Sequence, residues 1–241
     1  MYIEYIQYLF FINMPKSPRA TFRNQNDLVN YLWSSRVITH KPVVVAMKAV
    51  DRIDFAPTLP YQDSPQSIGF NATISAPHMH AHALNDLFYN LQPGMKALDI
   101  GAGSGYLVTA MANLVGKQGK VIGIEHIREL CQLAVNNIKK HNSYLFDNKT
   151  IQILCGDGRN GYPPEAPYDA IHVGAAAPVE VVGRLLKQLK PGGKMVIPVT
   201  MNSGRQVFRE YTKDKYGKSS FKDKVPVRYV PLTSEKSQRE R

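Results

Sequence analysis

Cysteine is scarce in this 241-residue chain: Cys131 and Cys155 are the only two. Their spacing matches neither a metal site nor a disulfide framework. A reducing, intracellular setting follows from that scarcity. No stretch of roughly 20 apolar residues occurs, which excludes a membrane-crossing helix. The opening run, MYIEYIQYLFFIN, lacks the basic start and small-residue cleavage site of a signal peptide and contains Glu4. Internal repeats and long low-complexity tracts are missing too. Acidic residues run short, 19 against 30 Lys and Arg, for a net charge of +11. Residues 201–241 carry 11 basic and 5 acidic side chains. Such a surface attracts nucleic acid, acidic protein or anionic lipid. A solvated basic face is the ordinary reading.

What remains suits one substantial α/β domain: 44% hydrophobic and 20% charged residues over this length. Residues 1–25 read as a flexible extension ahead of a single domain over 26–241. Within the extension, residues 1–13 read as a surface helix, a membrane-surface anchor or a start-codon artefact with Met14 as the true start.

The chain is organised around Ala97-Leu-Asp-Ile-Gly-Ala-Gly-Ser-Gly-Tyr-Leu107. Lys96 to Ile100 reads as a short buried strand. Gly101, Gly103 and Gly105 form a turn almost without side chains, and Tyr106 to Val115 has helical apolar spacing. A strand, a glycine turn and a helix N-terminus let a ligand approach the backbone closely. The dinucleotide fingerprint needs its third glycine at position 106, which holds Tyr106. Here the acid precedes the glycines. That order suits S-adenosylmethionine (SAM), whose sulfonium and ammonium favour a nearby acid and which has no phosphate. A ligand-free βα turn is the alternative.

Elsewhere the spacing predicts helices over Asn26–Arg36, capped by Asn26 or Asp27, and from Pro42 to about Val50. Asp51 to Ile74 reads as a long ordered loop, with Phe55, Tyr61 and Phe70 packed on the domain. Ser75 or Ala76 then caps a helix with Pro77 in its first turn. The helix N-terminus, with the Thr73 and Ser75 hydroxyls, makes a seat for a carboxylate; an ordinary serine cap is the alternative. Strands follow at Lys120–Ile124, Thr150–Leu154, Tyr168–Gly174 and Lys194–Val199, the last entered through a helix-ending Pro191-Gly-Gly193.

Glu125 lies about 20 residues past Gly105, the spacing of an acid that reaches ribose hydroxyls. His126 begins the next helix, as a cap or as a ligand contact. Asp157, between Gly156 and Gly158, stands where it can accept an adenine amino group. Alternating strands and helices predict an α/β fold with a doubly wound, mainly parallel, Rossmann-like sheet. N-terminal helices precede it and a C-terminal β hairpin follows. Asp99, Glu125, Asp157 and Gly174 then mark the ligand edge.

Six segments carry a resemblance. They are Tyr61–Gly69, Thr73-Ile-Ser-Ala-Pro-His-Met-His80, Asp99-Ile-Gly-Ala-Gly-Ser-Gly-Tyr106, Gly156-Asp-Gly-Arg159, Ala166–Pro178 and Tyr229-Val-Pro-Leu-Thr233. From about Asn26 onward the chain resembles the protein-L-isoaspartate (D-aspartate) O-methyltransferase family of SAM-dependent repair enzymes. The resemblance implies that Ser75 is the active-site serine. It sets Ala72, Thr73, Ile74, Ser75 and His80 beside cofactor and substrate. Asp99, Ile100, Gly101, Gly103 and Gly105 would cradle the methionine part. Glu125 and His126 would hold the ribose, Asp157 and Gly158 the adenine, and Thr233 and Gln238 would close over the cofactor.

The implied partners are age-damaged proteins with L-isoaspartyl or D-aspartyl residues, and the implied product is S-adenosylhomocysteine. No metal, nucleic acid or membrane is expected, and a cytoplasmic monomer is. The chain departs from the family at its start and at Thr200–Gln206, where a Gly-Pro-x-Gly-Gly-x-Gln loop keeps one glycine and the glutamine.

The chemistry asks for little. A carboxylate with a pKa of roughly 3.5–4 is ionised at neutral pH. It attacks the sulfonium methyl without a general base, so the lack of a catalytic triad is expected. A nucleic-acid methyltransferase would carry a base-pocket motif such as Asn-Pro-Pro-Tyr after the fourth strand; Gly174-Ala-Ala-Ala-Pro178 stands there instead. A non-catalytic SAM-binding protein would have lost Ser75 and its neighbours, which are present.

Overall fold

A computed structural model describes residues 20–240. The sequence expectations for residues 1–19 lie outside the described residues. Helix α1 (Gln25–Ser34) starts where the Asn24 side chain accepts the Asp27 N–H at 2.9 Å. The cap is therefore Asn24, not Asn26 or Asp27: only Asn24 has the extended backbone from which an Asx side chain reaches forward to the first turn. Helix α2 (Lys41–Lys48) opens with Pro42 in its first turn.

The stretch expected to be loop contains a short 3-10 turn, Arg52–Asp54, and a β hairpin. Its strands are β1 (Gln66–Gly69) and β2 (Ala72–Ile74), with Gly69 paired to Ala72. Phe70 and Asn71, both at positive φ (+52° and +54°), make the two-residue turn. That conformation matches strand twist. Asn71 suits it, whereas Phe70 masks it in the sequence.

Helix α3 (Pro77–Leu87) leads into the central units. These are β3 (Lys96–Ile100), α4 (Tyr106–Val115), β4 (Lys120–Glu125), α5 (Arg128–Asn142), the short α6 (Tyr144–Asp147) and β5 (Ile151–Cys155). After them come β6 (Tyr168–Val173), β7 (Ala177–Pro178), α7 (Val179–Gln188) and β8 (Leu189–Thr200). The hairpin β9 (Gln206–Lys213) and β10 (Ser219–Val227) follows, and α8 (Glu235–Arg239) ends the described chain.

The sheet order is β10-β9-β8-β6-β3-β4-β5, with β7 beside β8. Pairs from β8 to β5 are parallel; β9 and β10 are antiparallel. The chain runs outward from β3 to β5, then returns to the other side of β3 as β6. That reversal is a topological switch point, where such sheets open a crevice beyond their carboxyl ends. Two apolar layers sandwich the sheet. Ala97 and Val121 face the layer that includes Leu84, Val108 and Met111. Leu98, Ile100, Ile122 and Ile124 face Val182 and Leu185. Burial on both faces explains why these strands read as continuous apolar runs.

Three further sequence expectations change. Pro191-Gly192-Gly193 does not end a helix: α7 stops at Gln188 and β8 begins at Leu189. The glycines lie inside the strand, where its register against β6 slips between Tyr168 and Ala170, and Gly192 takes φ +82°. His126 does not begin α5, which starts two residues later at Arg128. Cys131 and Cys155 are joined as a disulfide, with Cα atoms 5.9 Å apart. Their 24-residue separation hides this. Parallel pairing of Glu125 with Cys155 sets the end of β5 beside the first turns of α5. The two cysteines, bonded to each other, therefore give no sign of a reducing setting.

Candidate active site

The strand ends are knitted by backbone hydrogen bonds. Gly101 N–H donates to Ile124 O (2.8 Å), Gly174 N–H to Ile100 O (2.8 Å) and Gly156 N–H to Glu125 O (2.9 Å). Gly105 starts α4 at φ +86°, with Ala134 and Ile138 of α5 so near that a Cβ there would lie 3.1–3.3 Å from them. Only glycine accepts both conditions. The β3-to-α4 turn therefore presents bare backbone to a cleft of about 540 Å³, part of it open to solvent.

Of the residues singled out in the sequence, Ala72, Thr73, Ile100, Gly101, Gly103, Glu125, His126, Asp157, Gly158, Thr233 and Gln238 line this cleft together. Ile74, Ser75, His80, Asp99 and Gly105 stand outside its lining. Asp99 is buried, and His172 Nδ1–H of β6 donates to it at 2.6 Å. His80 is buried and stacks on Tyr106, with ring centroids 4.9 Å apart. The lining also includes Ile124, Gly174, Ala175 and the run Val230, Pro231 and Leu232. Of these, sequence reasoning placed Gly174 at the edge. Ile124 and Leu232 offer apolar surface for a flat base, but no spacing rule marks them.

Glu125 is the acid built into the cleft. Its two carboxylate oxygens accept the Gly103 and Ile127 N–H groups, each at 3.0 Å. An ionised carboxylate has about four acceptor sites, so roughly half its capacity is left for a diol. Asp157 is held by Arg159, whose Nε donates to both oxygens at 2.9 Å. That partner keeps Asp157 ionised, below its ordinary pKa.

The chain's end straps the cleft. Ala176 N–H donates to Val230 O and Leu232 N–H to Ala176 O, each at 2.8 Å. Gln238 is buried: its amide donates to Phe70 O at 2.9 Å and its oxygen accepts from His126 Nε2–H at 2.8 Å. One side chain thus joins the β1–β2 turn, the end of β4 and α8. The retained Gln206 clamps the Tyr229 backbone through both its amide oxygen and nitrogen. The Tyr229 phenol is pushed up to about 12 by burial, against a smaller opposing influence from Ser75 nearby.

The N-terminus of α3 is already taken. Pro77 has no N–H, and the His78 N–H donates to Asp63 Oδ1 at 3.0 Å. His78 Nδ1 adds a second bond to the same oxygen at 2.8 Å. Burial pushes Asp63 up, but His78 and the charge of Arg52 outweigh it and hold the carboxyl below its ordinary value. The expected seat for a substrate carboxylate on this helix end is thus filled by the chain's own Asp63. Spacing gave no warning, because Asp63 reaches back from a loop 15 residues away.

A doubly wound parallel sheet, a side-chain-free βα turn and acids at successive strand ends define the SAM-dependent methyltransferase class. The family model for protein-L-isoaspartate(D-aspartate) O-methyltransferase matches residues 23–237. The chain belongs to that family. It is 48% identical over 220 residues to the protein-L-isoaspartate O-methyltransferase of Caenorhabditis elegans, covering 91% of this chain and 97% of that protein. It is 48% identical over 222 residues to the Triticum aestivum enzyme of the same name, covering 91% and 95% of the two chains. A solved Plasmodium falciparum protein-L-isoaspartate O-methyltransferase, in complex with S-adenosyl-L-homocysteine, superposes with a TM-score of 0.81 at 33% identity. That match covers 88% of this chain and 99% of that one.

Proposed function

We propose that this chain transfers the methyl group of SAM to the free α-carboxylate of L-isoaspartyl residues, and to the side-chain carboxylate of D-aspartyl residues, in damaged proteins. The observation that carries the reading is the meeting of two motifs at one cleft. Ala72 and Thr73, from the segment that continues to Ser75, line the same space as Glu125 and Asp157. A methyl donor held by the acids therefore lies beside the strand that leads to the serine.

The residues present fit SAM. Gly101 and Gly103 leave room for the methionine portion, Glu125 has spare acceptor capacity for the ribose, and Ile124, Leu232 and Asp157 surround a base. The bound cofactor supplies an electrophilic methyl on a sulfonium. The chain's part is to align an already ionised carboxylate with that methyl and to exclude water from the two opposite charges. Ser75, its carbonyl held by Arg52, acts as a positioning donor through its hydroxyl. The methyl ester formed carries methoxide on its carbonyl carbon, a better leaving group than the oxide of the free carboxylate, and it departs as methanol. The neighbouring backbone nitrogen attacks that carbonyl and displaces methanol without the enzyme, giving a succinimide whose hydrolysis returns some normal aspartate.

Among the described residues, no helix is long and apolar enough to cross a membrane. We assign the chain to the cytoplasm as a monomer without a nucleic-acid partner: Ala177–Pro178 pairs with β8 where a base pocket would be required. The decisive experiment is methyl transfer to one peptide in isoaspartyl and aspartyl forms. Transfer to the isoaspartyl form alone is expected; equal methylation of both would sink the repair reading.

A further inference from the structure

Arg52 is among the largest fully buried side chains, with 0% exposure. A buried guanidinium is costly unless a carboxylate or a full set of acceptors compensates it. Among the described residues no carboxylate lies within ion-pair distance of Arg52. Its Nη2 donates to the Ser75 carbonyl at 2.7 Å and its Nη1 to His80 Nδ1 at 3.3 Å. The guanidinium lies 5.3 Å from the centroid of the Tyr106 ring, on which His80 also stacks. Nε has no hydrogen-bond partner. Burial lowers Arg52 to about 10, which still leaves it cationic at neutral pH. Burial, with Arg52 beside it, holds His80 well below its ordinary value, so His80 is neutral and adds no second charge. The acid that Arg52 feels at longer range, Asp63, is engaged by His78.

A cation directly behind Ser75 thus has no anion of its own in contact. We propose that Arg52 is a positioning residue for the transfer: it fixes the Ser75 backbone, and its buried charge draws the substrate carboxylate to that serine. The proposal rests on the reading that the isoaspartyl carboxylate docks at Ser75. The other source of positive potential there, the N-terminus of α3, is spent on Asp63. At an effective dielectric of about 20, a unit-charge attraction across a few bond lengths corresponds to roughly a tenfold or greater gain in affinity. Negative charge leaves the carboxylate as the methyl transfers, so the attraction is strongest before reaction. It therefore belongs to KM for the peptide rather than to kcat. It gives no help to the cationic cofactor.

The test compares Arg52→Gln and Arg52→Lys with the wild type on an isoaspartyl peptide whose other side chains are uncharged. SAM affinity and thermal melting are measured alongside. Arg52→Gln should raise KM for the peptide roughly tenfold or more, with kcat within about threefold and SAM affinity within about twofold. Arg52→Lys should recover most of the loss, because the charge returns. In the wild type, KM should change less than about twofold between about 0.05 and 0.5 M salt, since a buried charge is poorly screened.

A folded Arg52→Gln with wild-type KM overturns the proposal. So does an Arg52→Lys as impaired as Arg52→Gln, or a wild-type KM that climbs steeply with salt, which would assign the attraction to surface lysines. Should Arg52→Gln fail to fold, the lysine variant and the salt series decide. A wild type that methylates no isoaspartyl peptide removes the parent reading, and this inference with it, before any variant is made.

Discussion

Replacing Glu125 with alanine should weaken SAM and S-adenosylhomocysteine binding roughly 10- to 150-fold. The figure follows from losing one charged acceptor for the ribose, about 1.5–3 kcal/mol. The structure adds a complication. The same carboxylate satisfies the Gly103 and Ile127 N–H groups at 3.0 Å, so alanine also leaves two donors short in a mostly buried place. Each such donor costs about 1–3 kcal/mol, and part of any lost affinity would reflect a loosened glycine turn. A cycle with a ligand lacking the ribose hydroxyls separates the two effects. By calorimetry, the wild type should bind the deoxy analogue far more weakly than S-adenosylhomocysteine. The Glu125→Ala variant should bind both almost equally. Equal losses in both proteins would remove Glu125 from the ribose and leave it a turn-holding residue only.

Ser75→Ala should lower kcat by up to roughly 10²-fold with little change in SAM affinity; unchanged turnover would strip Ser75 of its role. Gln238→Ala removes the link between Phe70 and His126, and should speed S-adenosylhomocysteine release several-fold in stopped flow while costing only about 1 kcal/mol of stability. A chain beginning at Met14 should keep the wild-type rate, because every chemical motif lies beyond Asn26; loss of SAM binding would make residues 1–13 part of the working domain. Asp63 has a lowered pKa in the fold, so its contribution is complete above its ordinary pKa and fades as pH falls through the lowered value. Asp63→Asn should therefore melt lower than wild type near pH 7, with the gap closing in acid; a gap that persisted at low pH would assign the loss to packing.

The strand-end half of the site was legible because each of its residues sits at a place fixed by local pattern. An apolar run ending in an acid announces a buried strand, and the three glycines after Asp99 announce the turn. Spacing alone then carries Glu125 and Asp157 to the same sheet edge. The register bears this out: Ile100 pairs with Ile124, and Glu125 with Cys155, in neighbouring parallel strands. Hairpin conformation was less legible. Phe70 at positive φ is costly for a bulky residue, and nothing in Gly-Phe-Asn marks the turn as strongly as Asn-Gly would. The Pro-Gly-Gly before Lys194 carries the punctuation of a helix end, yet it serves a strand irregularity. Only pairing with β6 distinguishes the two.

Long-range side-chain contacts escaped the sequence for a different reason: they depend on which surfaces the folded sheet brings together. Asp63 reaches α3 across a loop, Gln238 meets the β1–β2 turn from 168 residues away, and Arg52 enters beneath Ser75 from a 3-10 turn. Cys131 and Cys155 belong to the same group. Asp63 and Arg52 stand on no periodic face, and the periodic face that carries Cys131 says nothing of its distant partner, so no window of sequence weights these contacts. They nevertheless decide what the legible half can do. On the proposed reading, the glycine turn and its acids hold the methyl donor. On the same reading the choice of acceptor comes from the less legible half: a helix end already neutralised by Asp63, a serine whose carbonyl Arg52 holds, and a hairpin strapped down by Gln238. An aspartyl and an isoaspartyl carboxylate have nearly the same charge and pKa, so Arg52 attracts both alike. Discrimination must then rest on the main chain beside the carboxylate, and we propose the Tyr61–Ile74 segment as the wall that main chain meets. Shortening the β1–β2 turn should accordingly relax the preference between the two peptides while leaving SAM affinity within about twofold. A shortened variant that kept full preference would move the discrimination away from this hairpin.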